Sequence, residues 1–552
     1  MLIFVAGFFL IANRAAYRGF LSDDDFENIA NARQAGLSFY AEKLIEPAIS
    51  GDVIFRPAAD LYYWVLSRAA GLNYGRYVAA IHLIHLINVC LVWLLARSLG
   101  APPLGASAAA LFFSFQMAVF DVYWQPRFVF DALCGTFTLL ALIAYVEGRL
   151  IFSLVFFWLA VKSKELAILL PLALAGYELW IGKQRWRRLT PFFAISAIFG
   201  IQALAINTHR ENLYSLRFGL GNVWSCARFY ASQLVLAPGA WGLAGFAALA
   251  LPFLFRNRLV RFGVLTFVVM LGVMLVLPGR LLGAYLYVPL IGLAIAMASA
   301  TRPVWLAVFF AIWIPWNYRQ LRIDRRAELA EAADRRAWFL PIEEFARAHP
   351  GVETFVYRGQ PDSFNDFGVP AAIRCARPPD SPYTVVEADS PEAAAVLARP
   401  KLALLIWNGD SHLMQVIPRT ADVPYIRLND ATPLWQLTSG WIDTGPSFRW
   451  IAPHATARLA RPAGAKWLEI MLYVPQVYLD GAHRGRLDIS LDGRPIGSAA
   501  LDKAAPLTVR LALPAGGDST AKIEFDVSPP LHDPSGSGKI FGIPIAAFGF
   551  VQ

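Results

Sequence analysis

The chain has 552 residues, of which 57% are hydrophobic and only 16% are charged. This composition excludes a string of water-soluble domains, because apolar residues come in long runs up to about residue 316 and reach ordinary soluble frequencies only after residue 317. The formal net charge of +9 does not indicate nucleic-acid binding, since the basic residues stand in short clusters between apolar runs, where membrane orientation explains them.

Apolar runs long enough to cross a bilayer, about 20 residues each with allowance for tilt, predict about eleven membrane spans. These lie near residues 2–20, 77–96, 104–120, 128–146, 150–162, 165–181, 190–206, 241–255, 261–277, 286–300 and 303–317. The most basic segments between spans are 183–188 and 256–261, so the positive-inside rule places both in the cytoplasm. That orientation requires residues 224–238 to lie at the outer face without crossing the membrane.

The segments predicted on the side away from the cytoplasm are 21–75, 121–127, 162–165, 207–240, 278–285 and everything after 317. The first span has two alternatives. Met1–Ala12 is short and is followed by Arg14 and Arg18, so a signal peptide or a misassigned start codon would also explain it.

The first outer loop begins with three consecutive carboxylates, Asp23, Asp24 and Asp25, directly after the first span. Charge at the membrane interface is energetically costly, which makes this triplet a candidate functional site. The structural alternative is an acidic helix start, because Asp is favoured at N-caps and in first turns. The triplet alone does not decide between the two.

Further polar segments follow in a fixed order. Arg56-Pro57 precedes an amphipathic stretch, and the second span carries His82, His85 and Asn88. Residues 161–166 read VKSKEL and residues 280–289 read RLLGAYLYVP. Together with the acidic triplet, these segments resemble those of the GT-C glycosyltransferases, particularly the protein O-mannosyltransferase-like branch. The resemblance covers residues 1–317.

One position departs from the family pattern. The arginine that usually stands directly before Tyr-Leu-Tyr is Ala284 here, and Arg280 is the nearest replacement.

The resemblance implies a sugar donor carried on a polyprenyl phosphate within the bilayer, so that no nucleotide-binding fold is required. The sequence accordingly has no G-x-G-x-x-G, and residues 536–539 lack the flanking residues of a P-loop. An inverting transfer needs a general base for the acceptor hydroxyl, typically worth about 10²–10⁴-fold in rate. Asp24 is the predicted base, and Asp25 or Asp23 would orient it or hold a divalent metal.

The departing lipid phosphate gains negative charge, so fixed cations should stabilise the transition state more than the ground state. The predicted phosphate-binding residues are Arg56, Lys164 and Arg280. Each could instead be a cation that snorkels to the membrane interface. The predicted substrate pocket contains Glu165, Asp121, Trp124, Arg127, Tyr285, Tyr287 and His85. Its Tyr and Trp residues are also ordinary members of an interfacial aromatic belt.

His82 and His85 are spaced i, i+3, but no third ligand follows at a fitting spacing. Interhelical hydrogen bonding is therefore a better prediction for them than a metal site.

The second half has soluble patterning. Residues 325–348 have the spacing of an exposed amphipathic helix, and short strands at 353–357, 384–387 and 401–407 predict a small α/β domain over 318–437. Alternating apolar and polar residues predict a jelly-roll-type β-sandwich over 438–552, with Asp492-Gly493 as a hairpin turn. Its predicted strands are 467–474, 486–491, 507–513, 521–527 and 542–551. Trp441, Trp450 and His532 could contact a sugar, but core packing is the better prediction for the tryptophans.

These observations predict an α-helical polytopic membrane protein of GT-C-like fold, with the transmembrane catalytic domain at 1–317 and a periplasmic α/β segment and β-sandwich after it. The implied function is transfer of a monosaccharide from polyprenyl phosphate to a protein, lipid or glycan acceptor. The implied location is the periplasmic face of a bacterial inner membrane. Two alternatives remain open. A lipid-linked glycan flippase or polysaccharide-export component would need polar groups at mid-bilayer depth, and a non-catalytic sugar-binding scaffold would rely on the β-sandwich.

Overall fold

The structure is a computed structural model that describes ten ranges of the chain. These are residues 1–47, 56–207, 213–236, 257–378, 381–429, 432–443, 447–482, 484–514, 519–533 and 539–552. The chain divides into two compact units, Met1–Arg336 and Ala337–Gln552. The predicted boundary after residue 317 lies inside one continuous helix, Pro303–Ala348.

The first unit is helical. Its described α-helices are α1 (Leu2–Asn13), α2 (Asp23–Gln34), α3 (Leu37–Ile45), α4 (Pro57–Ala69), α5 (Tyr74–Ser98), α6 (Pro103–Ser114), α7 (Phe120–Trp124), α8 (Val129–Val146), α9 (Leu150–Ser163), α10 (Leu170–Trp180), α11 (Thr190–Asn207), α12 (Leu220–Val235), α13 (Arg258–Leu271), α14 (Leu290–Met297) and α15 (Pro303–Ala348). Short 3₁₀ helices join several of them, at Arg14–Arg18, Met117–Val119, Pro126–Phe128, Glu165–Leu169, Trp186–Leu189, Gly272–Val276 and Gly283–Leu286.

Several of these helices are suited to a membrane. In the described ranges, four are long and apolar enough to cross a bilayer: Tyr74–Ser98, Pro126–Val146, Trp186–Ala205 and Arg258–Val276. Two bent pairs raise the number to six if each is one span, namely Leu2–Arg18 with Asp23–Gln34 and Pro103–Ser114 with Met117–Trp124. Large apolar side chains such as Leu83, Ile201 and Val268 are exposed on these helices, as expected of lipid-facing surface.

The described residues give fewer long spans than the predicted eleven. The predicted span near 241–255 lies outside the described residues. The predicted spans at 165–181 and 286–300 are interrupted where a 3₁₀ turn meets a proline, Pro171 at the start of α10 and Pro289 just before α14. Proline lacks an amide hydrogen and resists a preceding helical turn, so continuous apolar sequence does not become one continuous helix there.

The second unit begins with a small sheet. Its strands are β1 (Thr354–Arg358), β2 (Thr384–Glu387), β3 (Leu402–Asn408) and β4 (Leu413–Pro418), in the order β2-β1-β3-β4. The first three pair in parallel and β4 pairs antiparallel to β3. The three predicted strands are therefore confirmed. The fourth was not predicted, because it is a partly exposed edge strand with little buried apolar pattern.

A larger antiparallel sheet follows in the order β10-β9-β12-β7-β15-β8-β11, with β5 and β6 paired to its members. The strands are β5 (Tyr425–Arg427), β6 (Leu437–Asp443), β7 (Arg449–Ala460), β8 (Trp467–Tyr473), β9 (Gly485–Leu491), β10 (Arg494–Leu501), β11 (Pro506–Ala512), β12 (Thr520–Ser528) and β15 (Pro544–Val551). A separate two-stranded ribbon joins β13 (Leu531–His532) to β14 (Ile540–Phe541). The sheet ends approach each other, since a side chain at Gly497 on β10 would meet Leu511 on β11.

The predicted strands of this region are confirmed, and so is its hairpin. Asp492 and Gly493 join β9 to β10 with φ values of 51° and 78°, the left-handed conformation that a tight two-residue turn needs. Trp441 stacks on Phe548 at a ring distance of 5.2 Å and Trp450 packs against Phe541 at 5.6 Å, so both tryptophans belong to the apolar packing.

Candidate functional site

The three carboxylates at the start of α2 have different surroundings. Helix α2, with the sequence DDDFENIANARQ, is polar and is bent by 83° from the preceding apolar helix. Ser22 and Asp25 form a capping box, in which the Asp25 Oδ2 accepts hydrogen bonds of 2.9 Å from both the amide and the hydroxyl of Ser22. Tyr63 on α4 donates to the Asp25 Oδ1 at 2.7 Å. Asp25 is therefore a buried helix cap, the structural alternative for the acidic triplet.

Asp23 is also fully buried, and it forms an ion pair with Arg127. Its Oδ1 accepts a hydrogen bond of 2.9 Å from the backbone amide of Asp24 and lies 3.4 Å from an Nη1 of Arg127. This contact joins the start of α2 to the 3₁₀ turn Pro126–Phe128, more than a hundred residues later. Asp23 therefore connects the triplet to the predicted outer segment 121–127.

Asp24 is the partly exposed member of the triplet. Among the described residues, none donates a hydrogen bond to its carboxylate or forms an ion pair with it. Burial and the negative charge of Asp23 raise the pKa of Asp24 to about 6, against the opposing positive charges of Arg127 and Arg280. A carboxylate of this kind is ionised at neutral pH and still basic enough to accept a proton, which suits a general base.

Arg280 is one of the two cations whose charge acts on this carboxylate. Its Nε donates a hydrogen bond of 3.4 Å to the Tyr285 hydroxyl, and its Cζ lies 4.6 Å from the ring centre of Tyr214. The guanidinium is partly exposed, and no carboxylate of the described residues forms an ion pair with it. Arg280 can therefore accept an anionic ligand without first breaking an ion pair.

The other two predicted phosphate-binding cations, Arg56 and Lys164, already form ion pairs with carboxylates. Arg56 makes a two-pronged contact with Glu165, with Nε–Oε1 and Nη2–Oε2 distances of 3.1 Å. The Lys164 Nζ lies 2.5 Å from each carboxylate oxygen of Asp131 on α8, and both side chains are almost fully buried. A cation held in this way contributes less net charge to an incoming phosphate than an unpaired one.

Tyr285 connects the cations. The Lys164 Nζ lies 4.3 Å from the Tyr285 ring centre, while the Tyr285 hydroxyl contacts Arg280. Arg56 is also close enough for the charge of Asp131 to act on it. The structure therefore gathers Asp24, Arg127, Arg280, Tyr285 and Lys164 into one region, with Arg56 and Glu165 beside them. We call this group the acidic–basic cluster.

Other predicted pocket residues lie in helix packing instead. His85 is fully buried, with its Nδ1 2.8 Å from the Tyr287 hydroxyl and its Nε2 3.2 Å from the Ser114 carbonyl oxygen. Asn88 donates to the same Tyr287 hydroxyl at 3.0 Å. This network confirms the prediction of interhelical hydrogen bonding, and it leaves His85 and Tyr287 no surface for a substrate in this arrangement.

Trp124 is likewise fully buried, and its Nε1 donates to the Asn13 Oδ1 at 2.8 Å. Asp121 is partly exposed near Arg127, and its Oδ1 lies 3.5 Å from the Gln125 Nε2. Asp121 therefore borders the acidic–basic cluster, whereas Trp124 is buried in the helix packing next to this loop.

Sequence reasoning did not select three residues of this region: Asp131, Gln125 and Tyr214. Asp131 carried a usable signal, because an ionisable residue within an apolar run is expensive unless it is paired. Gln125 lies in the predicted outer segment 121–127, between the predicted pocket residues Trp124 and Arg127. Tyr214 also lies in a predicted outer segment, 207–240, but no local pattern marks this residue, since only the folded chain brings its ring under Arg280.

The predicted divalent metal does not fit the acidic triplet. Asp25 has both carboxylate oxygens in hydrogen bonds, and Asp23 is committed to Arg127. Within the ranges that the structure describes, no three His, Cys, Asp or Glu side chains gather in a way that could hold a metal ion. The described side chains therefore offer no ligand set for a metal at this point.

No family profile matches the chain, and neither does any curated protein. Among solved structures, the chain is similar to arabinofuranosyltransferase AftD from Mycobacteria, with 12% identity and a TM-score of 0.44 over 100% of this chain and 58% of that one. It is also similar to ArnT from Cupriavidus metallidurans bound to undecaprenyl phosphate, with 14% identity and a TM-score of 0.48 over 76% of this chain and 98% of that one.

A third similar structure is arabinosyltransferase EmbB from Mycobacterium smegmatis, with 13% identity and a TM-score of 0.29 over 99% of this chain and 64% of that one. The chain thus spans little more than half the length of AftD. At identities and TM-scores this low, the similarities do not place the chain in a family.

Proposed function

We propose that the chain is a membrane glycosyltransferase of the GT-C type. It transfers a monosaccharide from a polyprenyl-phosphate donor to a hydroxyl of a protein, lipid or glycan acceptor, on the periplasmic face of a bacterial inner membrane. One observation carries this proposal: the partly exposed carboxylate of Asp24 lies within the electrostatic reach of Arg280, a cation without an ion-pair partner among the described residues. The order of the sequence motifs supplies the donor class.

The reaction uses the two groups in opposite roles. Asp24 takes the proton of the acceptor hydroxyl while that oxygen attacks the anomeric carbon on the face opposite the phosphate. The bond from the anomeric carbon to the phosphate oxygen breaks, and its electron pair leaves with the phosphate. Arg280 stabilises the charge that develops there. The products are the inverted glycoside and free polyprenyl phosphate, and Asp24 returns its proton to solvent.

The proposed transfer gives the three cations different roles. Arg280 holds the lipid phosphate directly, because its charge is available. Arg56 and Lys164 shape the pocket beside it through their pairs with Glu165 and Asp131.

Replacing Arg280 with Met should lower kcat/KM for transfer by about 10²–10³-fold, because a fixed charge at the leaving group is lost. The measurement is the initial rate of sugar transfer by the purified variant. Arg319→Met is the matched control, because Arg319 is also a cation over an aromatic ring, 5.5 Å from that of Trp316, but is outside the acidic–basic cluster. Equal activity of the two variants would contradict the phosphate-binding role of Arg280.

The pH dependence should report the ionisation of Asp24. A base must be deprotonated, and the pKa of Asp24 is raised to about 6, so kcat/KM should rise about tenfold per pH unit below that value and level off above it. The measurement is the pH profile of kcat/KM at constant ionic strength. The ordinary pKa of an Asp side chain is about 4. A kcat/KM that stays constant from neutral pH down to about that value would show that the raised pKa of Asp24 does not control the reaction.

The proposed function itself is tested with purified protein and radiolabelled polyprenyl-phosphate sugars. We expect label on an acceptor together with release of free polyprenyl phosphate. Movement of intact labelled lipid across sealed vesicles, without cleavage, would support a flippase instead. Binding of free glycans with neither cleavage nor movement would support a sugar-binding scaffold.

A further inference from the structure

A buried chain of hydrogen bonds leads from helix α15 to the acidic–basic cluster. Arg335 donates to the Glu328 Oε1 two turns earlier on the same helix, and the side chains are only 1% and 4% exposed. The second carboxylate oxygen of Glu328 accepts a hydrogen bond of 2.5 Å from the Gln125 Nε2. Burial makes these contacts strong, because no solvent competes for them. Gln125 is thus anchored to a fixed negative charge.

The anchored Gln125 side chain in turn restrains the guanidinium of Arg127. Its Oε1 accepts a hydrogen bond of 2.7 Å from the Arg127 Nε. A carboxylate can only accept and a guanidinium can only donate, so the amide has a single orientation that satisfies both neighbours. Neither a Glu nor a Met at this position could do the same: a carboxylate would oppose Glu328, and a thioether would bond neither.

Arg127 then reaches the acidic triplet. Its Nη1 lies 3.4 Å from the Asp23 Oδ1, the same oxygen that accepts from the backbone amide of Asp24. The charged groups that act on Arg127 from the surrounding elements are Asp23, Asp24 and Asp25 on α2, Asp121 on α7 and Glu328 on α15. Among these five carboxylates, the hydrogen bond from the Arg127 Nε goes to a neutral acceptor, the Gln125 Oε1.

We propose that Gln125, anchored by Glu328, is a positioning residue that holds Arg127 against Asp23 and so fixes the backbone at Asp24 for transfer. This inference rests on the proposed function, in which Asp24 is the base. Gln125 itself does not touch the substrate. The competing explanation is that Gln125 only stabilises the packing of α15 through its hydrogen bond to Glu328.

The test is a double-mutant cycle in the full chain. Gln125→Met should lower kcat about tenfold, with KM within about twofold of the wild type, because positioning affects the reacting geometry more than ground-state binding. In an Arg127→Met background, Gln125→Met should cause no further loss, since its effect acts through that guanidinium. Multiplying losses in the double variant, or an unchanged kcat in Gln125→Met, would overturn the proposal.

Gln116→Met is the matched control. Gln116 is also a buried amide, 2% exposed against 7% for Gln125, and its side chain bonds the backbone at Leu234 and Ala118 rather than Arg127. It should keep the wild-type kcat. A loss equal to that of Gln125→Met would assign the effect to amide burial in general and overturn the proposal.

A second measurement does not require transfer. Carboxyl footprinting with a carbodiimide and an amine nucleophile, at one fixed pH, reports by mass spectrometry how accessible Asp23 is. Asp23 should be labelled severalfold more in Gln125→Met and Arg127→Met than in the wild type or Gln116→Met. Unchanged labelling of Asp23 would overturn the positioning role even if the enzyme is active. Absence of transfer by the wild type, with increased labelling in the variants, would reject the proposed function while the contact chain stands.

Discussion

Replacing Asp24 with Asn should abolish transfer and leave the protein folded. The substitution keeps the side-chain shape but removes the proton acceptor, which typically costs about 10²–10⁴-fold in rate. Folding should be unaffected, because no described residue donates a hydrogen bond to this carboxylate. The measurements are the rate of label transfer and the thermal unfolding of the detergent-solubilised variant. An unchanged melting temperature with lost activity is the expected pair of results.

Two other carboxylates are controls for this experiment. Asp324 on α15 is also partly exposed with a pKa raised to about 6 by burial, so Asp324→Asn tests the effect of removing such a carboxylate elsewhere. It should keep full activity. Asp25→Asn should chiefly lower stability, by about 1 kcal/mol, because it weakens the helix cap. Full activity in separate variants at Asp23, Asp24 and Asp25 would show that the base lies elsewhere.

Replacing Lys164 with Met should destabilise the first unit strongly. The Lys164 Nζ lies 2.5 Å from both oxygens of Asp131, and the two side chains are 6% and 1% exposed. Removing the cation leaves a buried carboxylate uncompensated, which typically costs about 3–5 kcal/mol. The measurement is the midpoint of thermal unfolding in a fixed detergent, at one scan rate because such unfolding is often irreversible.

A double variant separates stability from function. Lys164→Met combined with Asp131→Leu removes both charges and should recover most of the lost stability. Arg149→Met is the control for a surface pair, since Arg149 and Glu147 are 68% and 39% exposed and such pairs contribute about 0–1 kcal/mol. If Lys164→Met melts like the wild type, the pair does not hold this part of the fold. If the folded double variant is inactive, the Lys164–Asp131 pair is needed for transfer as well as for stability.

The sequence was most informative where periodicity or composition acts locally. The strands Thr384–Glu387 and Trp467–Tyr473 follow from alternating or β-branched residues, because successive side chains of a strand point to opposite faces. The turn at Asp492-Gly493 follows from the need for positive φ at both positions. The apolar runs predict membrane helices for a similar reason, since the transfer of each side chain into hydrocarbon depends on its own surface.

Helix continuity was harder to predict. Residues 286–300 read as one apolar run, yet Gly283–Leu286 and Leu290–Met297 are separate helical pieces around Pro289. Hydropathy measures preference for lipid and not the geometry of the backbone, so it overstates the length of helices that contain such breaks.

The order of the residues alone predicts that a membrane half carries polar segments in a defined order, and that Asp23, Asp24 and Asp25 stand together at the first outer loop. Which of the three carboxylates is available depends on the packing of the folded chain. Asp25 is taken by Tyr63, 38 positions away, and Asp23 by Arg127, 104 positions away. Proton affinity and accessibility depend on the groups that packing brings near, and three adjacent residues of one type carry no local signal of those distant partners.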